Sequence, residues 1–192
     1  SVRYRMYYTL AVGTKSRDVK IDQEKHCAVC HSSDGIRWTE TEVYRRLEKV
    51  FSAPAYVLLP QVRNQTGYAR RVRTADALAA SVWPSRGLYM VGVEIKVSVS
   101  DWRRERADAE KSGDIQRFCR HWYVAAPAGL VPIAEVPATW GLIEVTKAKA
   151  AIVKAAPELE VTPPTAGFIC SVLRAAVGHS IPADQVQERA LP

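Results

Sequence analysis

The chain has no apolar run approaching the ~20 residues needed to cross a bilayer, and its opening Ser1-Val2-Arg3-Tyr4-Arg5 lacks the apolar stretch of a secretory leader. A cytoplasmic protein with no membrane partner is therefore expected. Cysteine is scarce, four in 192 residues, which in a reducing compartment argues against a disulfide framework. No Gly-rich loop ends in Gly-Lys-Ser/Thr, no segment repeats and no heptads run, which argues against a P-loop phosphotransferase, a solenoid or a coiled coil. Acidic charge is the scarcer sign, with 20 acidic against 27 basic residues, a net charge of +7 and a pI near 9.4. That balance favours a polyanionic partner such as nucleic acid. Apolar residues are plentiful at 47%, enough for one domain with its own core.

A stretch rich in metal-binding types comes early. His26-Cys27-Ala28-Val29-Cys30-His31 has the Cys-x-x-Cys spacing of a zinc knuckle with a histidine on either side. A second Cys-x-x-Cys or histidine pair is missing. A zinc site would use His26, Cys27, Cys30 and His31, or borrow Cys119 or His121 after folding, and the competing reading is free thiols.

The chain is organised around residues 73–98. Leu88 to Val97 is apolar and β-branched, as in a buried strand, yet Glu94 and Lys96 interrupt it two positions apart. Side chains alternate along a strand, so both point to one face. Burying an acid and an amine costs several kcal/mol unless they pair or bind something. Trp83-Pro84-Ser85-Arg86-Gly87 is rich in turn residues and would fold the preceding segment back, bringing Asp76 to Glu94. Two close carboxylates need a neutralising cation, and hard oxygen ligands suit Mg²⁺ or Mn²⁺. Lys96 would then orient or deprotonate a water and offset charge on a phosphate. Arg70-Arg71-Val72-Arg73 and Arg103-Arg104-Glu105-Arg106 flank this centre and suit phosphate positioning, although Glu105, Asp108 and Glu110 dilute the second cluster. Arg71, Arg73 and Arg86 are the basic candidates for nucleic-acid contact here.

Asp76…Glu94-Ile95-Lys96 resembles the signature of the PD-(D/E)XK nuclease superfamily, with Ala75 where proline would stand. The longer string Arg73 to Leu78, Trp83 to Gly87, Glu94 to Ser98, Ser100-Asp101-Trp102 and Trp140-Gly141-Leu142 resembles uncharacterised bacterial and prophage members of that superfamily, some labelled DNA-repair proteins. The resemblance covers about residues 40 to 157 and implies a restriction-endonuclease-like core running helix, three strands, helix, strand. It also implies a Mg²⁺-dependent deoxyribonuclease in a bacterial cell or prophage. Asp76, Glu94 and the Ile95 carbonyl would hold the metal, with Glu42 of the first helix as a further ligand. Lys96 would act at the scissile phosphate, and Gln116 and Lys111 would assist from the helix that follows.

In chain order, residues 1–12 suit a strand. Thr39 or Thr41 caps a helix to Phe51 with Val43, Leu47, Val50 and Phe51 as its stripe. Residues 55–63 form a strand at which Pro60 argues for an edge, where Gln61 either faces the centre or merely lines that edge, the second reading being preferred. Ser100 or Asp101 caps a helix that breaks near Gly113. His121 to Pro127 is a buried, parallel strand, and residues 140–145 and 150–155 are two more. Ala166 to Val177 is a helix with Phe168, Ile169, Val172, Leu173 and Ala176 inward, ended by Gly178. The expected whole is an α/β domain with a mixed central sheet: an extension over 1–38, a core over 39–157, and a C-terminal helix and tail over 158–192. A homo-oligomer would supply paired sites for cutting two strands. The competing function is a non-catalytic module of the same fold that binds nucleic acid or protein.

Overall fold

The computed structural model describes residues 38–66, 72–107 and 113–180. The proposed strand over 1–12, His26, Cys27, Cys30 and His31, together with Arg71, Lys111 and the tail from 181, lie outside the described residues.

Helix α1 spans Glu40–Val50. The Thr39 hydroxyl accepts from the Glu42 N–H, and the Glu42 carboxylate accepts from Thr39 N at 2.8 Å, a reciprocal cap that satisfies two donors at the helix start. Strands β1 (Tyr56–Arg63), β2 (Thr74–Ser81) and β3 (Met90–Ile95) form an antiparallel meander. Helices α2 (Val99–Ala107) and α3 (Gly113–Gln116) then lead to β4 (His121–Pro127), which runs parallel to β3. Strand β5 (Gly141–Val145) is parallel to β4, β6 (Ala150–Lys154) turns back antiparallel, and α4 (Ala166–Ser180) closes the described chain. The sheet is mixed and six-stranded in the order β1-β2-β3-β4-β5-β6. Pro60 lies in β1, an edge strand, where its missing N–H is not needed by a second neighbour.

Strands β3 and β4 are buried on both faces, so their residues separate into two cores. One holds Leu78, Trp122, Val124 and Leu142 with Trp102 of α2, Ile115 of α3 and Phe168 of α4. The other holds Ala77, Val91, Val93, Ile95 and Ala125 with Val43 and Leu47 of α1. The cap of α2 is Ser98 rather than Ser100 or Asp101, since the Asp101 N–H donates to Ser98 Oγ at 3.0 Å. Helix α4 continues through Gly178 to Ser180 and is rotated from the expected stripe. Phe168 stacks on Phe118 with ring centroids 4.4 Å apart, Ser171 is buried, and Ile169 and Leu173 are exposed. Two i, i+4 apolar rows compete on this helix, and the row carrying the large Phe168 ring packs inward. No described helix is long and apolar enough to cross a membrane.

One glycine fixes the spacing in this core. A Cβ on Gly92 would sit 2.0 Å from the Trp122 ring, which lies flat over the strand beside it. Gly92→Ala is expected to cost about 2–3 kcal/mol through overpacking, seen as a thermal midpoint lower by roughly 5–10 °C. An unshifted melt would show that the ring is free to move aside.

Candidate active site

The β2–β3 hairpin builds the centre. Its register pairs Leu78 with Gly92 and Ala77 with Val93, so one further step places Asp76 across from Glu94 with both side chains on the α2/α3 face. Beyond this pair the ladder hands over to a side chain, and the Ile95 N–H donates to Asp76 Oδ2 at 2.8 Å. The contact made by Ile95 here is thus through its N–H.

Lys96 follows on the same face, and its ammonium is the hub. Nζ lies 3.3 Å from Glu94 Oε2, 3.7 Å from Asp76 Oδ2 and 3.2 Å from Glu105 Oε2. The four side chains are 10–20% exposed, largely sheltered from solvent. Burial by itself would lower the Lys96 pKa, but Glu94, Asp76 and Glu105 outweigh it and hold the ammonium above the ordinary lysine range. Lys96 is therefore charged at neutral pH. Glu94 moves the opposite way to a usual surface carboxylate: burial and then the neighbouring Asp76 charge raise its pKa well above normal, with Lys96 opposing. The two carboxyl groups lie within hydrogen-bonding reach of each other.

Three carboxylates around one ammonium leave two negative charges uncompensated when all are ionised, and a divalent cation would offset them. Among the described residues no three His, Cys, Asp or Glu side chains are grouped as ligands of a single ion. The donor set therefore fits a cation that takes one or two carboxylates and completes its shell with water and phosphate oxygens, which is the habit of Mg²⁺. Asp76 and Glu94 are the residues that would hold it.

Two members of this site were not assigned to it from the sequence, Gln61 because the edge reading was preferred and Glu105 because it was read as charge dilution. Gln61 adopts a left-handed backbone, φ 51°, and the β1–β2 register passes from Pro60↔Ala77 to Val62↔Ala75 without pairing it. A non-glycine residue pays about 1–3 kcal/mol for such a conformation, and such residues concentrate at functional sites. Here the bulge turns the Gln61 amide inward, where Nε2 donates to Asp76 Oδ1 at 3.4 Å. Both carboxylate oxygens of Asp76 are thereby engaged. The side chain does not merely line an edge, but a positive φ leaves no mark in sequence beyond a polar residue after Pro60. Glu105 is the second. It sits in an arginine-rich stretch and looks like charge dilution until α2 is docked by Trp102 and Arg106, which hold Glu135 Oε2 at 3.0 and 2.9 Å.

Several expected members lie elsewhere. Glu42 is exposed and committed to the Thr39 cap, so it does not join Asp76 and Glu94. Arg104 pairs with Asp101 at 3.4 Å and Arg106 with Glu135 at 2.9 Å, both with largely exposed guanidiniums. Gln116 makes no hydrogen bond to the cluster among the described residues; Ile115 is the residue of α3 that turns toward the sheet, and its neighbour points about 100° further round the helix. Arg86 is carried to the far end of the hairpin by its own turn. Cys119 is fully buried with its Sγ 3.6 Å from the Ile115 carbonyl, and Cys27 and Cys30, which it would join, lie outside the described residues. Arg73 does arrive. With Val72, Thr74, Glu94, Glu105, Ile115 and Trp122 it lines a cavity of about 180 Å³ beside the acids. The buried indole N–H of Trp122 has no partner among the described residues.

No protein-family model and no curated protein matches the chain. Among solved structures it is similar to the SPO1766 protein of unknown function from Silicibacter pomeroyi, with a TM-score of 0.55 and 21% identity, covering 76% of this chain and 89% of that one. At that identity the likeness concerns the fold: an α/β unit with a six-stranded mixed sheet flanked by helices.

Proposed function

We propose that this chain is a metal-dependent nuclease of restriction-endonuclease-like design that hydrolyses phosphodiester bonds in DNA. The observation that carries the reading is the meeting of Asp76 and Glu94 across the β2–β3 hairpin, with the Lys96 ammonium 3.3–3.7 Å from both. When bound, Mg²⁺ would supply charge neutralisation at the scissile phosphate and a water acidified toward neutral pH. The protein supplies the rest. Ile95 N–H and Gln61 amide hold the Asp76 carboxylate in one orientation. Glu94, buried and disfavoured as an anion, gains most when a cation arrives. Lys96 keeps its proton and so serves as an electrostatic clamp on the phosphate or as an orienter of water. Arg73, at the cavity rim, is placed to hold a neighbouring phosphate.

Digestion of end-labelled single-stranded, duplex and branched DNAs with Mg²⁺, with Mn²⁺ and with EDTA tests this. Cleavage in the metal-containing reactions that EDTA abolishes is expected. Binding without cleavage in any of them would instead leave the non-catalytic module.

Gln61 gives a finer check. Gln61→Gly removes the amide from Asp76 while relieving the backbone. Loss of an outer hydrogen bond to a metal-holding carboxylate typically costs about 10–100-fold in activity or metal affinity. The strain relieved, about 1 kcal/mol, is offset by a similar loss to glycine's entropy. Cleavage should therefore fall at least tenfold with the melting midpoint within a few degrees of wild type. Full activity in the variant would reduce Gln61 to an accident of the bulge.

A further inference from the structure

Of the three carboxylates around Lys96, Glu105 is not carried by the hairpin. Asp76 stands on β2 and Glu94 on β3, and Lys96 follows directly, whereas Glu105 belongs to α2. The start of α2 is fixed by Ser98: the Asp101 N–H donates to its hydroxyl and the Trp102 N–H to its carbonyl, each at 3.0 Å. One turn on, Trp102 and Arg106 anchor the helix to Glu135. Glu105 follows Trp102 by three residues, which puts it on the same side of the helix. The place of its carboxylate is therefore set by the docking of α2 and not by the two strands.

The three ion pairs of Lys96 differ in how they meet a cation. Asp76 and Glu94 are the residues that would hold one, and Mg²⁺ draws carboxylate oxygens to about 2.0–2.1 Å. That is closer than the 3.3 and 3.7 Å that Glu94 Oε2 and Asp76 Oδ2 keep from Nζ. An ion of twice the charge outcompetes the ammonium for those oxygens, and the two cations repel. Asp76 cannot turn to follow the lysine, because Ile95 N–H and the Gln61 amide hold it. Glu105 Oε2, at 3.2 Å, remains. The charges close on this division, since two carboxylates match a divalent ion and the third matches the ammonium. Glu94 and Glu105 line one cavity, so a lysine that stays with Glu105 stays beside the space open to a phosphate.

We infer that Glu105 is the positioning residue for Lys96: the ammonium gives up Asp76 and Glu94 when a divalent cation occupies them, and Glu105 keeps it at the cavity. This rests on the nuclease reading and adds a hand-over to that site. Lys96 stands in for the cation in the metal-free protein and faces the phosphate in the metal-bound one.

NMR of the lysine ammonium groups, in the full chain carrying isotope-labelled lysine, reads the hand-over without reference to cleavage. A slowly exchanging ammonium signal that Lys96→Met removes is expected. Titrating Mg²⁺ should shift this signal in the wild type and leave it visible, because Glu105 still holds the group. In Glu105→Gln the signal should be present without Mg²⁺, held by Asp76 and Glu94, and vanish as Mg²⁺ is added. Cleavage at saturating Mg²⁺ should fall about 10–100-fold in Glu105→Gln, the scale for losing a partner that orients a reacting group. The same change made in Lys96→Met should cost less than about twofold. Taking a carboxylate away from a phosphate would by itself speed the reaction, so the fall reports the lysine. If Glu105→Gln is unfolded by circular dichroism, Glu105→Asp decides in its place, since it keeps the charge, draws it back by one methylene and should lose the same signal on adding Mg²⁺. A Lys96 signal that survives Mg²⁺ in the folded variant as it does in wild type would overturn the inference. So would a wild-type signal that ignores Mg²⁺ while DNA is cleaved, or an equal fall in cleavage with and without Lys96, which would make Glu105 a metal ligand or base in its own right. The expected NMR pattern in a protein that never cleaves DNA would sink the nuclease reading and leave the hand-over standing.

Discussion

Lys96→Met is expected to lower the unfolding free energy by about 3–5 kcal/mol at neutral pH, the largest stability effect of any single change at this site. Methionine keeps the length of the side chain and removes its charge, so the loss reports the ammonium and not a cavity. What remains is Asp76, Glu94 and Glu105 facing one another without a counter-charge. The pH dependence follows from Glu94. Its folded pKa is raised, so the folded state binds more protons than the unfolded state between the ordinary carboxylate value and the raised one. Stability is then fully present below that window and falls as pH rises through it. Removing Lys96 takes away the one interaction that opposes the rise, so the variant should lose stability more steeply and up to a higher pH. Denaturant unfolding at a series of pH values, with and without Mn²⁺, measures this. Recovery at acid pH and again on adding Mn²⁺ is the expected pattern, and a variant as stable as wild type at every pH would show that the lysine is not neutralising the acids.

Asp76→Asn should reduce Mg²⁺-dependent cleavage at least about a hundredfold, the scale of losing one preorganised charge at a reacting phosphate. Asparagine keeps the shape and still presents an acceptor to Ile95 N–H, so the hairpin should hold. The loss should divide between catalysis and metal. Initial rates titrated with Mg²⁺ are expected to show a lower plateau and a higher half-saturating concentration, because one of the two carboxylates that would hold the cation has become neutral. The change also removes the charge that helps to raise Glu94, so folding stability should depend less on pH in this variant than in wild type. Cleavage equal to wild type at every Mg²⁺ concentration would take Asp76 out of the site.

The hairpin part of the site was legible because it is local. Glu94 and Lys96 share a face by strand alternation alone, and the Trp83–Gly87 turn announces an antiparallel return that brings Asp76 alongside. Helix α1 was legible for a similar reason, since Thr39 and Glu42 spell out its cap within four residues. That same local chemistry misled the assignment of Glu42, because a carboxylate that completes a cap is not free to reach a sheet. Arg86, put forward for nucleic-acid contact, lies at the turn end of the hairpin, because a strand of this length carries its turn well away from its base.

Sequence alone determined most of the described elements and the face shared by Glu94 and Lys96, because each of these depends on periodicity or on residues a few positions apart. Tertiary structure alone decided that Glu105 and Gln61 join Asp76, that α4 turns Phe168 rather than Ile169 inward, and that Arg120 comes to lie over Tyr89. Those outcomes depend on how a helix docks, on a backbone angle at a bulge, and on which strand ends coincide. All three are set by packing between segments far apart in the chain, where no local pattern records them.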